Sequence, residues 1–145
     1  MLELEDLVGT WHLVRYARRD GEGNVVLPLG PSPVGRLTYS DDGYMHALMM
    51  PAGRARYASN DLFGGSEAER LGAAEHFVSY CGPFEIRGDT VYHCPEASFF
   101  PNWEGESLPR EARLERGDLV LVAPKGVRDG RTSTAEIVWR RRPSN

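Results

Sequence analysis

The segment His93-Cys94-Pro95-Glu96-Ala97-Ser98 brings an imidazole, a carboxylate and a hydroxyl close together in the chain. On a regular strand their odd spacing would scatter them over both faces, because only alternate residues align. Proline changes that expectation. Pro95 has no N–H to give to a ladder, so it marks a sheet edge or a bulge, and one extra residue shifts the side-chain phase by one. With such a bulge His93, Glu96 and Ser98 share a face. A carboxylate beside an imidazole raises its pKa and holds one tautomer, which suits a general acid or base. The same pair can equally serve only to pin the bulge.

Other candidates are more dispersed. Along Tyr44 to Met50, alternation places Tyr44, His46 and Leu48 on one face and Met45, Ala47 and Met49 on the other. If the first face is internal, His46 is a polar group in an apolar interior that needs a partner. No metal site is expected: His46, His76 and His93 fall on separate elements, without the short spacings of a zinc site. No G-x-S-x-G turn offers a hydrolase nucleophile, and Gly64-Gly65 lacks the following lysine of a phosphate loop. The one lysine, Lys125, sits in Pro124-Lys125-Gly126, which reads as a turn rather than a buried Schiff-base site. No cofactor is implied.

The elements that must position these residues read mostly as strands. Val8 to Arg19 is a long first strand, closed by Asp20-Gly21-Glu22-Gly23. Asn24 to Pro28 is a short extended piece. Val34 to Tyr39 and Tyr44 to Met50 flank Ser40-Asp41-Asp42-Gly43, a hairpin signal because glycine supplies positive φ. Phe84 to Arg87 and Thr90 to Phe100 flank Gly88-Asp89, Arg110 to Glu115 and Asp118 to Ala123 flank Arg116-Gly117, and Thr132 to Arg140 closes the chain. One helix interrupts them. Ser66-Glu67-Ala68-Glu69 is a capping box, and Leu71, Ala74, Phe77 and Val78 recur at helical spacing behind it. The spacing predicts a helix from Glu67 to about Tyr80 that covers one end of the sheet as a lid or plug.

A short all-β chain must hide its sheet edges, and closing the sheet removes them. The expectation is an all-β, antiparallel barrel of about eight to nine strands with one short covering helix; a two-sheet sandwich is the alternative. A length of 145 residues fits a single domain, 1–145. The net charge of −4 argues against nucleic acid as partner. Arg140-Arg141-Arg142 is a short basic run that reads as structural or solvated. No apolar run reaches the roughly 20 residues of a membrane span, and the acidic start Met1-Leu2-Glu3-Leu4-Glu5-Asp6 does not resemble a secretory signal, so a cytoplasmic location is expected. Across a Gly88-Asp89 hairpin, Cys81 lies diagonal to Cys94 at roughly 7–8 Å between Cα atoms. That is long for a disulfide, so two buried thiols are expected.

Several of these segments carry a resemblance. Val8-Gly9-Thr10-Trp11-His12-Leu13-Val14 is similar to the G-x-W opening of the calycins. The strings Pro33-Val34-Gly35-Arg36-Leu37-Thr38-Tyr39 and Asp42-Gly43-Tyr44-Met45, with Tyr80 to Phe84, His93 to Ser98 and Pro101-Asn102-Trp103, resemble the lipocalin-like domain proteins of bacteria and fungi. That group is common in secondary-metabolite gene clusters. The resemblance runs from about Leu7 to Arg141. It implies a calycin barrel whose first-strand tryptophan packs at the closed end beneath a basic residue of the last strand, for which Trp139-Arg140 offers a candidate. The T-D-Y motif and framework disulfide of secreted lipocalins are absent.

The function implied is that of a barrel holding a mostly apolar small molecule. Tyr39, Tyr44, Tyr80, Phe84, Ser98 and Trp103 are the expected ligand-lining residues, and His93, Glu96 and His46 the expected acid–base groups. Isomerisation or cyclisation of a secondary metabolite needs little more than a shaped cavity and one or two such groups. A non-catalytic carrier is the alternative reading, and a barrel with a filled interior the third. Self-association as a homodimer is left open.

Overall fold

The structure, a computed structural model, describes residues 1–128 and 131–141. After a short helix α1 (Leu4–Leu7), the chain lays down β1 (Gly9–Asp20), β2 (Val25–Val26), β3 (Val34–Tyr39) and β4 (Tyr44–Met50). Helix α2 (Glu67–Ala74) precedes β5 (Val78–Arg87), β6 (Thr90–His93), β7 (Ala97–Ser98), β8 (Leu108–Glu115), β9 (Asp118–Arg128) and β10 (Arg131–Arg141). Eight of these strands form a closed antiparallel ring in the order β10-β9-β8-β6-β5-β4-β3-β1, sealed by β1 pairing with β10. The two short extra strands hang on the ring, β2 on β1 and β7 on β5. The expected all-β barrel is therefore the fold.

Turn chemistry sets the register. Gly88-Asp89 brings Arg87 opposite Thr90, Arg116-Gly117 brings Glu115 opposite Asp118, and Gly43 at φ 93° closes the turn between β3 and β4. Bulges then decide which residues face inward. On β1, Leu13 faces Trp139 but Arg15 faces Val138, so the phase slips at Val14 and Tyr16 and Arg18 join Trp11 and Leu13 on the inner face. On β9, Ala123 faces Ala135 and Gly126 faces Ser133. Pro124-Lys125-Gly126 is thus a bulge within a strand rather than the expected turn, since a proline cannot complete the ladder there.

The closed end is built around Trp11. Its indole N–H donates to the Leu7 carbonyl at 2.8 Å, and a guanidinium stacks 4.2 Å above the ring. That guanidinium belongs to Arg141 rather than to Arg140: Arg141 is the register partner of Trp11, whereas Arg140 points outward to Asp118. Arg141 also donates to the carbonyls of Val8 and Asp6, tying α1 across the barrel end with Leu2 and Leu7 buried. Arg142 lies outside the described residues.

Helix α2 departs most from expectation. Its capping box forms as the sequence requires, with Ser66 Oγ accepting from the Glu69 N–H and the Glu69 carboxylate accepting from the Ser66 N–H. It stops at Ala74, however, and His76 adopts a left-handed φ of 59° before β5 begins. Phe77 and Val78 belong to that new direction, so the apolar face suggested by their spacing is split between two elements. Leu71 remains 61% exposed and no residue of α2 is buried. The helix leans on its own connection: Glu69 also accepts from the Ala58 N–H, and Arg54 donates to the Ala73 carbonyl. Nor do the two cysteines match the expected buried pair, since both are free and half-buried and the bulge after Cys94 places Cys81 opposite Ala97.

Two measurements test this arrangement. Trp11→Ala should lower unfolding free energy in urea by about 3–5 kcal/mol, the range for a buried tryptophan. A loss below about 1 kcal/mol, typical of surface changes, would rule out Trp11 as the keystone of the closed end. Amides of residues 67–74 should exchange with solvent faster than those of the ring strands, because the helix has no buried face to hold it closed.

Candidate functional site

His93 ends β6, paired with Phe84 of β5 on one side and Leu108 of β8 on the other. Its side chain turns into the barrel and is 1% exposed. Both ring nitrogens meet tyrosine hydroxyls: Nε2 lies 2.6 Å from Tyr39 Oη and Nδ1 lies 2.8 Å from Tyr80 Oη. Burial and then the charge of Arg110 hold the imidazole pKa well below its usual value, and burial raises both phenols above theirs. All three groups are therefore neutral near pH 7. Arg110 reaches the group from β8, where it is 9% exposed. It donates Nη1–H to the Pro109 carbonyl, and its positive charge opposes the rise that burial imposes on the Tyr80 hydroxyl.

A neutral imidazole has one donor and one acceptor nitrogen. One tyrosine hydroxyl therefore donates to His93, and the other accepts from it and keeps its own proton spare. Tyr80, His93 and Tyr39 thus form a hydrogen-bonded chain with one spare O–H donor, beside the charge of Arg110.

The apolar surroundings come from ring contacts. Phe84 meets the Tyr39 ring edge-on at 4.9 Å, and Trp103 meets the Tyr80 ring edge-on at 5.4 Å. Tyr16, Val78, Ile86, Trp103 and Leu108 pack against the core but stay partly accessible. Arg18, on the inner face of β1, is half-buried and donates to Ser133 Oγ at 3.0 Å. Outside Trp103 lies an apolar cavity of about 310 Å³ bounded by Phe77, Val78, Phe99, Phe100, Pro101 and Trp103. Trp103 thereby stands between that cavity and the hydrogen-bonded chain.

The structure brings His93, Tyr39, Tyr80, Phe84 and Trp103 together, and places Ser98 opposite Tyr80. The bulge expected at Pro95 is present: four steps along β5, from Phe84 to Tyr80, are matched by five from His93 to Ser98. It does not bring Glu96 to His93. Pro95 takes the buried position and Glu96 is exposed. Both imidazole nitrogens are already engaged by tyrosines, and an apolar ring enters the interior more cheaply than a carboxylate. The expected rise in the His93 pKa is accordingly reversed. Tyr44 and His46 also lie elsewhere, exposed on the outer face of β4, because Met45, Ala47 and Met49 take the inner one. Among the described residues no three His, Cys, Asp or Glu side chains converge as metal ligands.

Two residues near the site, Arg110 and Tyr16, and the inward-facing Arg18 are absent from the sequence-based candidates. Arg110 had a legible signal, since Leu108, Arg110 and Ala112 alternate on one face and an arginine there interrupts an apolar row. Tyr16 and Arg18 had none, because strict alternation from Trp11 turns them outward and only the slip at Val14 reverses it.

Comparison with known families fits this geometry. Residues 8–142 match the lipocalin-like domain family. The chain belongs to that family. Lipocalin-like barrels are consistent with small-molecule binding. No curated protein matches the sequence. Among solved structures, a crystal structure of a mutant of the fluorescent protein UnaG aligns at 16% identity over 96% of this chain and 98% of that one, with a TM-score of 0.42.

The buried imidazole of this lipocalin-like domain makes stability depend on pH. The unfolded chain accepts a proton on His93 near pH 6.5, whereas the native state resists it to a lower pH. Stability present above that pH is therefore lost as pH falls below it, by at most about 1.4 kcal/mol per pH unit for this group. Urea melts from pH 7.5 to 5 should show a steeper decline for the wild type than for His93→Gln. Parallel declines would mean that His93 titrates normally.

Proposed function

We propose that this lipocalin-like domain binds a mostly apolar small molecule in the open half of its barrel and promotes its isomerisation or cyclisation, with Tyr39 as the hydrogen-bond donor to a carbonyl oxygen. The observation that carries this reading is the neutral His93 held between two tyrosines, which leaves one proton donor unused. A donor already oriented within an apolar wall stabilises negative charge as it develops on oxygen, with little reorganisation. The product of such a reaction is an isomer of the substrate, so no cofactor has to supply or remove atoms. His93 and Tyr80 position and polarise Tyr39. Neither Glu96 nor His46 enters this mechanism.

The proposal extends to polycyclic or polyketide-like secondary metabolites as substrates, met in the cytoplasm without nucleic acid or membrane as partner. The apolar, aromatic surroundings of Trp103 and Phe84 support the substrate class, and the free thiols Cys81 and Cys94 suit a reducing compartment. Among the described residues no helix is long and apolar enough to cross a membrane. A carrier is the second reading, favoured by the near-complete burial of Tyr39 and His93, which would also suit a purely structural network.

Enolisable bicyclic ketones distinguish the two. The wild type should accelerate deuterium exchange beside the carbonyl of a ketone such as 2-tetralone, and Tyr39→Phe should reduce that acceleration by roughly 10²-fold, as for loss of one oriented donor. A protein that binds these ketones without accelerating exchange is a carrier.

A further inference from the structure

In the connection between β4 and α2, Leu62 and Phe63 are 84% and 88% exposed. Their pose is fixed rather than frayed. The Asp61 N–H donates to Ser59 Oγ at 3.2 Å, while Asp61 Oδ1 accepts from the Phe63 N–H and the Asp61 carbonyl from the Gly64 N–H, both at 3.1 Å. Gly65 then turns the chain at a left-handed φ of 97°, where a Cβ would lie 2.7 Å from the Tyr57 ring. The Glu69 carboxylate clamps both ends of this turn, accepting from the Ala58 and Ser66 N–H groups. A leucine and a phenylalanine are thus held side by side in solvent, and a side chain ordered in advance loses little freedom on binding. A matching hollow lies on the same chain. The apolar cavity outside Trp103, about 310 Å³, is walled by two edge-on aromatic pairs, Phe77 with Phe99 at 5.2 Å and Phe100 with Trp103 at 5.5 Å. Phe99 and Phe100 are exposed, so the hollow is open to solvent. Its size is at the low end for a small-molecule site and suits one or two apolar side chains. Charge matches as well: Asp61 precedes the projecting pair, and the exposed Arg54 guanidinium lies 5.2 Å above the Phe77 ring that walls the hollow.

We infer that two copies of this chain pair by reciprocal insertion, Phe63 of each entering the aromatic hollow of the other. Each copy carries both the projecting pair and the hollow, so one contact made twice closes a two-fold dimer. Within one copy the clamped turn keeps Phe63 in solvent, and the occupant of the hollow is therefore supplied by a second copy. Leu62 and Phe63 are the apolar anchor, and Asp61 meets the Arg54 guanidinium of the other copy at the rim. An aromatic anchor in a pocket with a polar rim is where interfaces concentrate their energy. The dimer also covers the outer side of Trp103.

Sedimentation velocity over a range from about 10 μM to 1 mM tests this pairing. The wild type should pass from monomer to dimer within that range. Phe63→Asp changes a side chain that stands in solvent and so spares folding; it should raise the dissociation constant at least about 100-fold, because the anchor is lost at both contacts. Phe100→Glu, which puts a carboxylate in the hollow, should do the same, and Phe99→Ser takes its place if circular dichroism shows that variant misfolded. A wild type that stays monomeric at the top of the range overturns the inference, as does a dimer that survives Phe63→Asp. A dimer lost with Phe63→Asp but kept by the cavity variants means that Phe63 docks elsewhere, and overturns the assignment of the hollow.

Discussion

Hydrogen bonds between β1 and β10, from Trp11 opposite Arg141 to Asp20 opposite Ser133, turn a strip of sheet into a barrel. Without them the strip would present two edges of unpaired N–H and C=O groups, each a template for aggregation. With them the inner faces of eight strands share one interior, and residues far apart in the chain become neighbours. Tyr39 and His93 are separated by 54 positions yet meet at 2.6 Å. Arg141 reinforces the seam by capping Trp11 and holding the backbone around α1, so the end of β10 secures the first elements of the chain.

Irregularities in the strands decide what that interior contains. Each bulge adds one residue and exchanges inside for outside beyond it. The slip at Val14 turns Tyr16 and Arg18 inward, and the one after Pro95 turns Ser98 inward while leaving Glu96 in solvent. Gly82 belongs to the same device: a Cβ there would collide with the Cys94 carbonyl oxygen, so only glycine lets the bulged backbone approach β5 so closely. A perfectly regular barrel of this sequence would have a different and more apolar lining.

The polar chain within this lining is an exception to an apolar core. Partly satisfied buried networks are destabilising, whereas complete ones are specific and rigid. Here the imidazole is satisfied on both nitrogens, while the buried Ser98 Oγ and Trp139 Nε1 have no partner among the described residues. Such residual capacity is where a native structure meets something other than itself. Trp103, which touches Tyr80 on one side and the outer aromatic cavity on the other, is placed where a molecule approaching that capacity would pass.

Much of the architecture was legible in the chain itself. Hairpin turns at Gly43, Gly88 and Gly117, the capping box at Ser66, the bulge at Pro95 and the lipocalin-like opening around Trp11 are local features, and each is determined by the conformations open to a few neighbouring residues. The membership of the site was less so. His93, Tyr39, Tyr80, Phe84 and Trp103 could be chosen by type, but the partner of His93 could not, because sequence proximity favoured Glu96 and burial excluded it. The end of α2 at Ala74, the stacking of Arg141 rather than Arg140, and the inward turn of Tyr16 and Arg18 were likewise decided in three dimensions. Which face a side chain takes depends on every slip in register before it, and which partners it finds depends on closure of the ring; neither quantity is local.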